Sequence, residues 1–138
     1  MTGLTPGPQV LDTAACLRLL ATVPVGRVAF TDRALPAIQP VNFVMDGADV
    51  VLRTGRGSTL EIAMRRAVVA FEAGAFDPVT HAGWTVTVLG ESRAVTDPAE
   101  HARLAALPLR VWAGGERDHF VRITGRRISG RLLQEAAA

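Results

Sequence analysis

The chain has 138 residues, of which 49% are hydrophobic and 20% are charged, as expected for one globular domain with a single core. Its formal net charge of +2 is too small to indicate a nucleic-acid-binding protein. All fifteen basic residues are arginine, and the absence of lysine excludes Schiff-base chemistry and a Walker-type phosphate loop.

The distribution of apolar residues and the single cysteine predict a cytoplasmic protein without a membrane span. No apolar run reaches the roughly 18 residues that cross a bilayer. The N-terminus lacks the basic segment and apolar stretch of a secretion signal. Cys16 has no second cysteine to pair with, and its apolar neighbours predict a buried small side chain.

The first half of the chain predicts one helix followed by three strands. Residues 1–10 are rich in Gly and Pro and are expected to be flexible. Leucines recur at helical spacing in residues 11–23, with Asp12 or Thr13 as the N-cap. The strands are predicted at 25–31, 36–45 and 49–54. Asp46-Gly47, between the last two, is a strong signal for a two-residue hairpin turn.

The segment Gly55-Arg56-Gly57 follows the third strand and leads into a predicted helix at 59–66. Ser58 and Glu61 have the spacing of a capping box. Flexible glycines beside Arg53 and Arg56 at the start of a helix are typical of an anion-binding site. The alternative interpretation is an ordinary turn and helix cap. A Rossmann fingerprint is disfavoured, because Leu60 stands where its third glycine belongs and a hairpin precedes the loop.

The second half of the chain predicts further strands and one helix. Strands are expected at 68–73 and 84–95, with a bend near Gly90. Asp97 and Pro98 mark a secure start for a helix at 97–107. Residues 119–133 read as one or two strands, and 134–138 as a tail. The pattern predicts an α+β, mostly β fold: a six- to seven-stranded antiparallel barrel with two or three short helices in one domain, 11–133.

Few side chains outside the loop suggest direct chemistry. His81, His101 and His119 lack metal-ligand spacing, so no metal site is predicted, and no Ser-His-Asp arrangement is supported. Glu72 is expected to cap or to pair with an arginine at a subunit interface, and Trp84 to lie in the core. A site poor in catalytic side chains is compatible with a protein whose cofactor does the chemistry.

Four segments, in their order and spacing, resemble the pyridoxamine 5′-phosphate oxidase-like, FMN-binding split-barrel family, near its small nitroimidazole reductase-like branch. They are VPVGRVAF, PAIQPVNFVMDGADVVLRTGRGSTL, VVAFEAGAFDP and GWTVTVLGESRAVTDPAE. The resemblance covers roughly residues 11–133. It implies a Greek-key split barrel that forms a homodimer, with FMN in a groove between the subunits.

The resemblance also implies a set of flavin contacts. Pro40, Val41, Asn42 and Phe43 would run beside the isoalloxazine ring. Thr54, Ser58 and Thr59 would contact the ribityl and phosphate groups, Thr85 the flavin, and Trp112 the flavin of the other subunit. The family often has Lys or Arg at or just after the position of Thr59, so Arg56, Arg53 or Arg65 would supply the charge here.

The implied activity is that of an FMN-dependent oxidoreductase acting on a small molecule, with NAD(P)H as a possible reductant. Relatives with the same barrel use the deazaflavin F420 or haem. The rival function is therefore a non-catalytic protein that stores or senses a flavin, a deazaflavin or haem. True pyridoxamine-phosphate oxidase activity is disfavoured, because no second cluster of basic and hydroxyl side chains is apparent for the phosphate of that substrate.

Overall fold

The computed structural model describes residues 9–108 and 119–134, which form seven strands and three helices. In chain order the elements are β1 (Gln9–Leu11), α1 (Thr13–Leu20), β2 (Val25–Asp32), β3 (Leu35–Asp46), β4 (Asp49–Thr54), α2 (Thr59–Ala63), β5 (Arg66–Phe76), β6 (Gly83–Ala94), α3 (Pro98–Ala105) and β7 (His119–Leu133).

All strand pairs are antiparallel, and the sheet closes on itself. The order is β1-β7-β4-β3-β2-β5-β6, and β6 also pairs with β7, so six strands form a ring to which β1 is added. Hairpins join β2 to β3, β3 to β4 and β5 to β6. The predicted antiparallel barrel with short helices is confirmed.

The pairing of β3 with β4 is incomplete, which leaves an opening in the closed sheet. This strand pairs with β2 through residues 35–42 and with β4 only through residues 43–46. The first half of β3 therefore has no strand on its β4-side edge within the described chain. An open edge of this kind is normally covered by another part of the protein or by a partner.

Two hairpin turns contain residues with left-handed backbone, and the β3–β4 turn differs from the sequence prediction. Asp46 pairs with Asp49, so the loop residues are Gly47 and Ala48, with Gly47 at φ +62°, and not Asp46-Gly47. The β2–β3 turn places Arg33 and Ala34 at φ values of +52° and +66° without any glycine. Such left-handed backbone is uncommon for residues other than glycine.

The termini of the helices are set by their caps. The Asp12 carboxylate accepts a hydrogen bond from the Ala15 N–H, and that of Asp97 accepts one from the Glu100 N–H. The predicted helix 59–66 is shorter than expected, because β5 begins at Arg66 and pairs with β6. Each described helix has eight residues or fewer, and none has the length and hydrophobicity to cross a membrane.

Two further features of the strands bear on the sequence prediction, one a difference and one an agreement. Residues Gln9–Leu11 form β1 against the end of β7, although 1–10 were predicted to be flexible. The predicted bend at Gly90 is confirmed as a register shift in the β6–β7 pairing. A Cβ at Gly90 would lie 1.9 Å from the Thr124 carbonyl oxygen, so only glycine fits this close backbone approach.

The barrel interior holds the main core. Cys16 and Leu20 of α1 contribute to it, as do Leu60 and Met64 of the α2 region. Trp84 also belongs to this core, and Cys16 is fully buried, as predicted; burial raises the pKa of its thiol. α1 and the α2 region therefore contribute to the barrel core, whereas Leu104 of α3 packs with Val51 and Phe120 in a second, smaller cluster.

A buried arginine joins α3 to the β3–β4 hairpin. Arg122 on β7 is only 6% exposed, and its guanidinium donates hydrogen bonds to Asp46, Asp49 and Glu100 over 2.7, 2.9 and 3.0 Å. Two exposed arginines complete the network: Arg103 binds Asp46 and Arg93 binds Glu100. The hydrogen bond from Arg103, followed by that from Arg122, holds the pKa of Asp46 well below its usual range.

Candidate functional site

Four residues of β3 were predicted to contact the isoalloxazine ring, and they divide between the two faces of the sheet. Val41 and Phe43 are buried in the core, where the Phe43 ring meets the Phe71 ring edge-on at 4.7 Å. Pro40 and Asn42 alternate with them and lie on the outer face. The side chains of Val41 and Phe43 are therefore packed in the core, and only the main chain of these residues can contact a ligand on the outer face.

Thr85 on β6 lies on the same outer face, because Trp84 and Val86 on either side are core residues. Its hydroxyl oxygen is buried and has no hydrogen-bond partner within the described residues. Leaving a buried hydroxyl unpaired costs about 1–3 kcal/mol, so such a group usually has a ligand or water as its partner. The structure thus gives the predicted contact at Thr85 a physical basis.

Strand register places Asn42 and Thr85 in one row across the sheet. Asn42 is opposite Val25 on β2, and Thr85 is opposite Gly74 on β5. The β2–β5 register aligns these two rows, since Arg27 is opposite Glu72. Three strand spacings correspond to about 14 Å along the sheet, which leaves room for a flat ring system between the two side chains.

The loop after β4 has the features of a turn and a cap, and it retains unused polar groups. Ser58 Oγ accepts the Glu61 N–H at 3.1 Å, so half of the predicted capping box is formed. The other half is not formed, because the Ser58 N–H donates to the Gly55 carbonyl at 3.3 Å and not to the Glu61 carboxylate. Arg56 and Thr59 are exposed, and Gly57 has φ +79° with open space around it.

Arg53 and Thr54 leave β4 on opposite faces. The Arg53 guanidinium lies 5.4 Å from the centre of the Phe120 ring, beside the second small core around Leu104. Thr54 points inward, and its hydroxyl donates to the His119 carbonyl at 3.4 Å. The two side chains therefore lie on opposite faces at the end of β4, and Arg56 is the arginine within the loop itself.

The sequence interpretation missed a polar cluster behind the loop. Glu61 is only 2% exposed, and its carboxylate lies 3.1 Å from His119 Nε2 and 3.2 Å from the Arg65 guanidinium. The Glu61–Arg65 spacing was visible as an i,i+4 pair, but no signal in the sequence indicated His119. The Arg65 guanidinium is therefore engaged by the Glu61 carboxylate, whereas Arg56 is an exposed arginine of the loop.

The remaining predicted residues are placed as follows. Trp112 lies outside the described residues. Glu72 pairs with Arg27 across β2 and β5 at 3.5 Å, and both side chains are more than half exposed on the outer face. Within the described chain, no group of three or more His, Cys, Asp or Glu side chains is arranged to hold a metal ion.

Fold and outer face together define a small antiparallel split barrel. The family model described as pyridoxamine 5′-phosphate oxidase matches residues 12–132. This chain belongs to the pyridoxamine 5′-phosphate oxidase-like family. The residues on which the resemblance was based lie within the matched range.

Three similar proteins illustrate this relationship. The uncharacterized protein Rv0080 of Mycobacterium tuberculosis is 39% identical over 125 residues, covering 87% of this chain and 82% of its own. The FAD binding protein of Mycobacterium smegmatis has a TM-score of 0.81 and 33% identity, covering 92% of this chain and 99% of its own. A Corynebacterium glutamicum protein, provisionally called a pyridoxamine 5′-phosphate oxidase, has a TM-score of 0.86 and 27% identity, covering 99% and 100%.

Proposed function

We propose that the chain binds a flavin nucleotide on the outer face of the barrel and serves as a flavin-dependent oxidoreductase for a small molecule. The observation that carries this proposal is the buried, unpartnered Thr85 hydroxyl in the same row as Asn42. The M. smegmatis relative, described as an FAD binding protein, supports a flavin as the ligand.

The residues present fit a flavin nucleotide. Pro40 and Asn42 would contact the ring through side chains, and Val41 and Phe43 through their main chain. The loop would hold the flavin phosphate with Arg56 and with the hydroxyls of Ser58 and Thr59, and FMN is sufficient for these contacts. Ser58 Oγ already accepts the Glu61 N–H, but its own hydrogen is available to a phosphate oxygen. Bound flavin would supply the electron-transfer chemistry.

Replacing Thr85 by Val tests whether the hydroxyl belongs to the ligand or to the fold. The variant should keep or gain stability without flavin, because an unpaired buried hydroxyl is removed. It should bind FMN about two- to tenfold more weakly, equivalent to one lost neutral hydrogen bond. Urea unfolding of the apoprotein and flavin fluorescence quenching measure the two effects.

Thr124→Val is the control, because Thr124 is an exposed residue of β7 outside the row of Asn42 and Thr85. It should leave FMN affinity within twofold of that of the unaltered protein. A loss of more than about 1 kcal/mol of apoprotein stability in Thr85→Val would identify the hydroxyl as structural and contradict its role in flavin binding.

A visible absorption spectrum and a turnover assay test the function as a whole. A bound flavin should give a flavin spectrum, whereas haem or the deazaflavin F420 would give spectra of their own and overturn the flavin assignment. Oxidation of NAD(P)H under air, dependent on added flavin and protein together, would support the oxidoreductase. Tight flavin binding without turnover with any reductant would instead favour a carrier or sensor.

The outer face also supports the proposal that two copies form a homodimer around the cofactor. Register aligns an apolar row across four strands: Ile38, Ala29, Ala70 and Leu89. Ile38 is 72% exposed and Leu89 is 37% exposed, so both ends of the row face solvent in a single copy. The exposed Arg27–Glu72 pair lies in the adjacent row, and a two-fold axis could exchange these opposite charges between copies.

Ile38→Glu should prevent dimer formation, because it places a charge within the proposed apolar contact. Sedimentation velocity at micromolar concentration should show a dimer for the unaltered chain and a monomer for the variant. Val79→Glu is the control, since Val79 is 82% exposed in the β5–β6 loop and should tolerate the charge. A monomeric unaltered chain would contradict the proposal.

A further inference from the structure

The loop between β4 and α2, residues 55–58, is held by few contacts of its own. The backbone hydrogen bond from the Ser58 N–H to the Gly55 carbonyl is long, at 3.3 Å, and Gly57 has left-handed backbone with open space around it. The helix that follows has only five residues, too few to be stable in water without tertiary contacts. The position of the loop therefore depends on residues that contact its two ends.

His119, the first residue of β7, contacts both ends of this loop. At the β4 end it lies opposite Thr54 in the strand register, and its carbonyl accepts the Thr54 hydroxyl hydrogen bond over 3.4 Å. At the α2 end its Nε2 lies 3.1 Å from a carboxylate oxygen of Glu61. Glu61 is also the residue whose N–H donates to the Ser58 hydroxyl. His119 thus connects the strand before the loop to the helix cap after it.

The contact between His119 and Glu61 is shielded from solvent. The Glu61 side chain is 3% exposed and that of His119 is 18% exposed. Nε2 itself is buried, and it meets the carboxylate at ion-pair distance without the alignment of a hydrogen bond. A buried carboxylate that loses a partner tends to turn toward water, because burial of an unpaired charge is costly.

The second partner of this carboxylate cannot replace the histidine. The Arg65 side chain is 59% exposed, so its guanidinium is free to follow Glu61 toward solvent. His119 is fixed on a barrel strand that pairs with β4 on one side. Among the described residues, it is therefore the histidine that can hold the Glu61 carboxylate inside and keep the Ser58 cap in place.

We propose that His119 is a positioning residue for the phosphate loop. By holding Glu61 it would fix the Ser58 cap, and with it the Ser58 and Thr59 hydroxyls that would bind the flavin phosphate. This inference rests on the proposed flavin function and adds a residue from a distant strand to phosphate recognition. The imidazole would act only through Glu61, so it should affect the phosphate of the ligand and not the ring.

Titrations of FMN and riboflavin by flavin fluorescence test this role. His119→Leu should lower the preference for FMN about tenfold, equivalent to roughly 1.4 kcal/mol, with riboflavin affinity changed less than about twofold. His119→Gln should keep the preference within about threefold of that of the unaltered protein, because the glutamine amide can place an N–H near the position of Nε2. His119→Asn has the same amide but a shorter reach. It should behave like His119→Leu, and it replaces that variant if the leucine chain does not fold by circular dichroism.

His81→Asn is the control for the loss of a histidine. His81 is exposed in the β5–β6 loop and has φ +59°, which asparagine tolerates. This variant should leave the preference for FMN unchanged.

Amide hydrogen exchange of the apoprotein tests the positioning of the loop without any flavin. In His119→Leu the Glu61 N–H should exchange about tenfold faster or more, because its bond to Ser58 is opened locally more often. The Ala15 and Glu100 N–H groups are capped in the same way by aspartates on α1 and α3. They are internal controls and should exchange at unchanged rates.

Three results would overturn this role of His119. They are an unchanged FMN preference in His119→Leu, a loss in His119→Gln as large as that in His119→Leu, and faster exchange at all three capped amides, which would identify a general loss of stability. Absence of binding by both flavins would overturn the proposed function, whereas the exchange rates would still show whether His119 positions the loop.

Discussion

Replacing Arg122 by Met is expected to destabilise the folded chain by about 3–5 kcal/mol. The guanidinium is nearly buried and binds three carboxylates, those of Asp46, Asp49 and Glu100. Methionine fills a similar volume but leaves these carboxylates close together without their shared cation. Urea unfolding at neutral pH measures the loss. Arg126→Met is the control, because its ion pair with Glu91 is exposed and should contribute less than about 1 kcal/mol.

The destabilisation caused by Arg122→Met should become smaller at acid pH. The pKa of Asp46 is lowered by hydrogen bonds from Arg103 and then Arg122, and that of Glu100 chiefly by the hydrogen bond from Arg93. Carboxylates with a lowered folded-state pKa stabilise the protein above their unfolded pKa of about 4, and that stabilisation is lost as pH falls below it. The difference between Arg122→Met and the unaltered protein should therefore shrink below about pH 4. A difference under 1 kcal/mol at neutral pH, or one independent of pH, would contradict this account.

FMN should bind at least about a hundredfold more tightly than riboflavin, equivalent to roughly 2.7 kcal/mol. Each charge-assisted hydrogen bond to the phosphate contributes about 1.5–3 kcal/mol, and Arg56 and Ser58 are the groups available in the loop. The helix itself should add little, because α2 has only five residues. The double variant Arg56→Ala and Ser58→Ala should lose most of the preference while riboflavin affinity stays nearly unchanged.

Riboflavin serves as the internal control in that experiment, since Ser58→Ala also removes an N-cap worth about 1 kcal/mol of stability. A general loss of folding would weaken both ligands equally. Thr13→Ala with Arg18→Ala on α1 is the matched pair and should preserve the preference for FMN. Equal affinities of the unaltered protein for FMN and riboflavin would show that the loop is only a helix cap.

Local patterns along the chain were sufficient to predict the elements of the barrel. Alternating apolar residues predicted the strands β2, β3, β4 and β6 to within a residue or two at most ends. Asp12 and Asp97 predicted helix starts because capping depends on residues only three positions away. Gly90 predicted the bend, since a strand glycine usually marks a close backbone approach.

The site was predicted less completely than the fold. The pattern of residues in one strand does not show which residues of another strand lie beside them on the same face of the sheet. Val41 and Phe43 were grouped with Pro40 and Asn42, but their side chains belong to the core. Arg53 and Thr54, both predicted to contact the cofactor, lie on opposite faces of β4, as neighbouring strand residues do. Only the closed register of four strands brings Asn42 and Thr85 into one row.

By itself, the sequence determined the strand and helix content, the caps, the buried cysteine and the loop between β4 and α2, since these depend on residues close together in the chain. Tertiary structure alone decided the contacts between distant segments: His119 against Glu61, and Arg122 among Asp46, Asp49 and Glu100. Charged residues on separate elements have no fixed spacing in sequence, so their pairing depends on how the barrel closes. The same closure creates the outer face, and with it the groups available to a ligand.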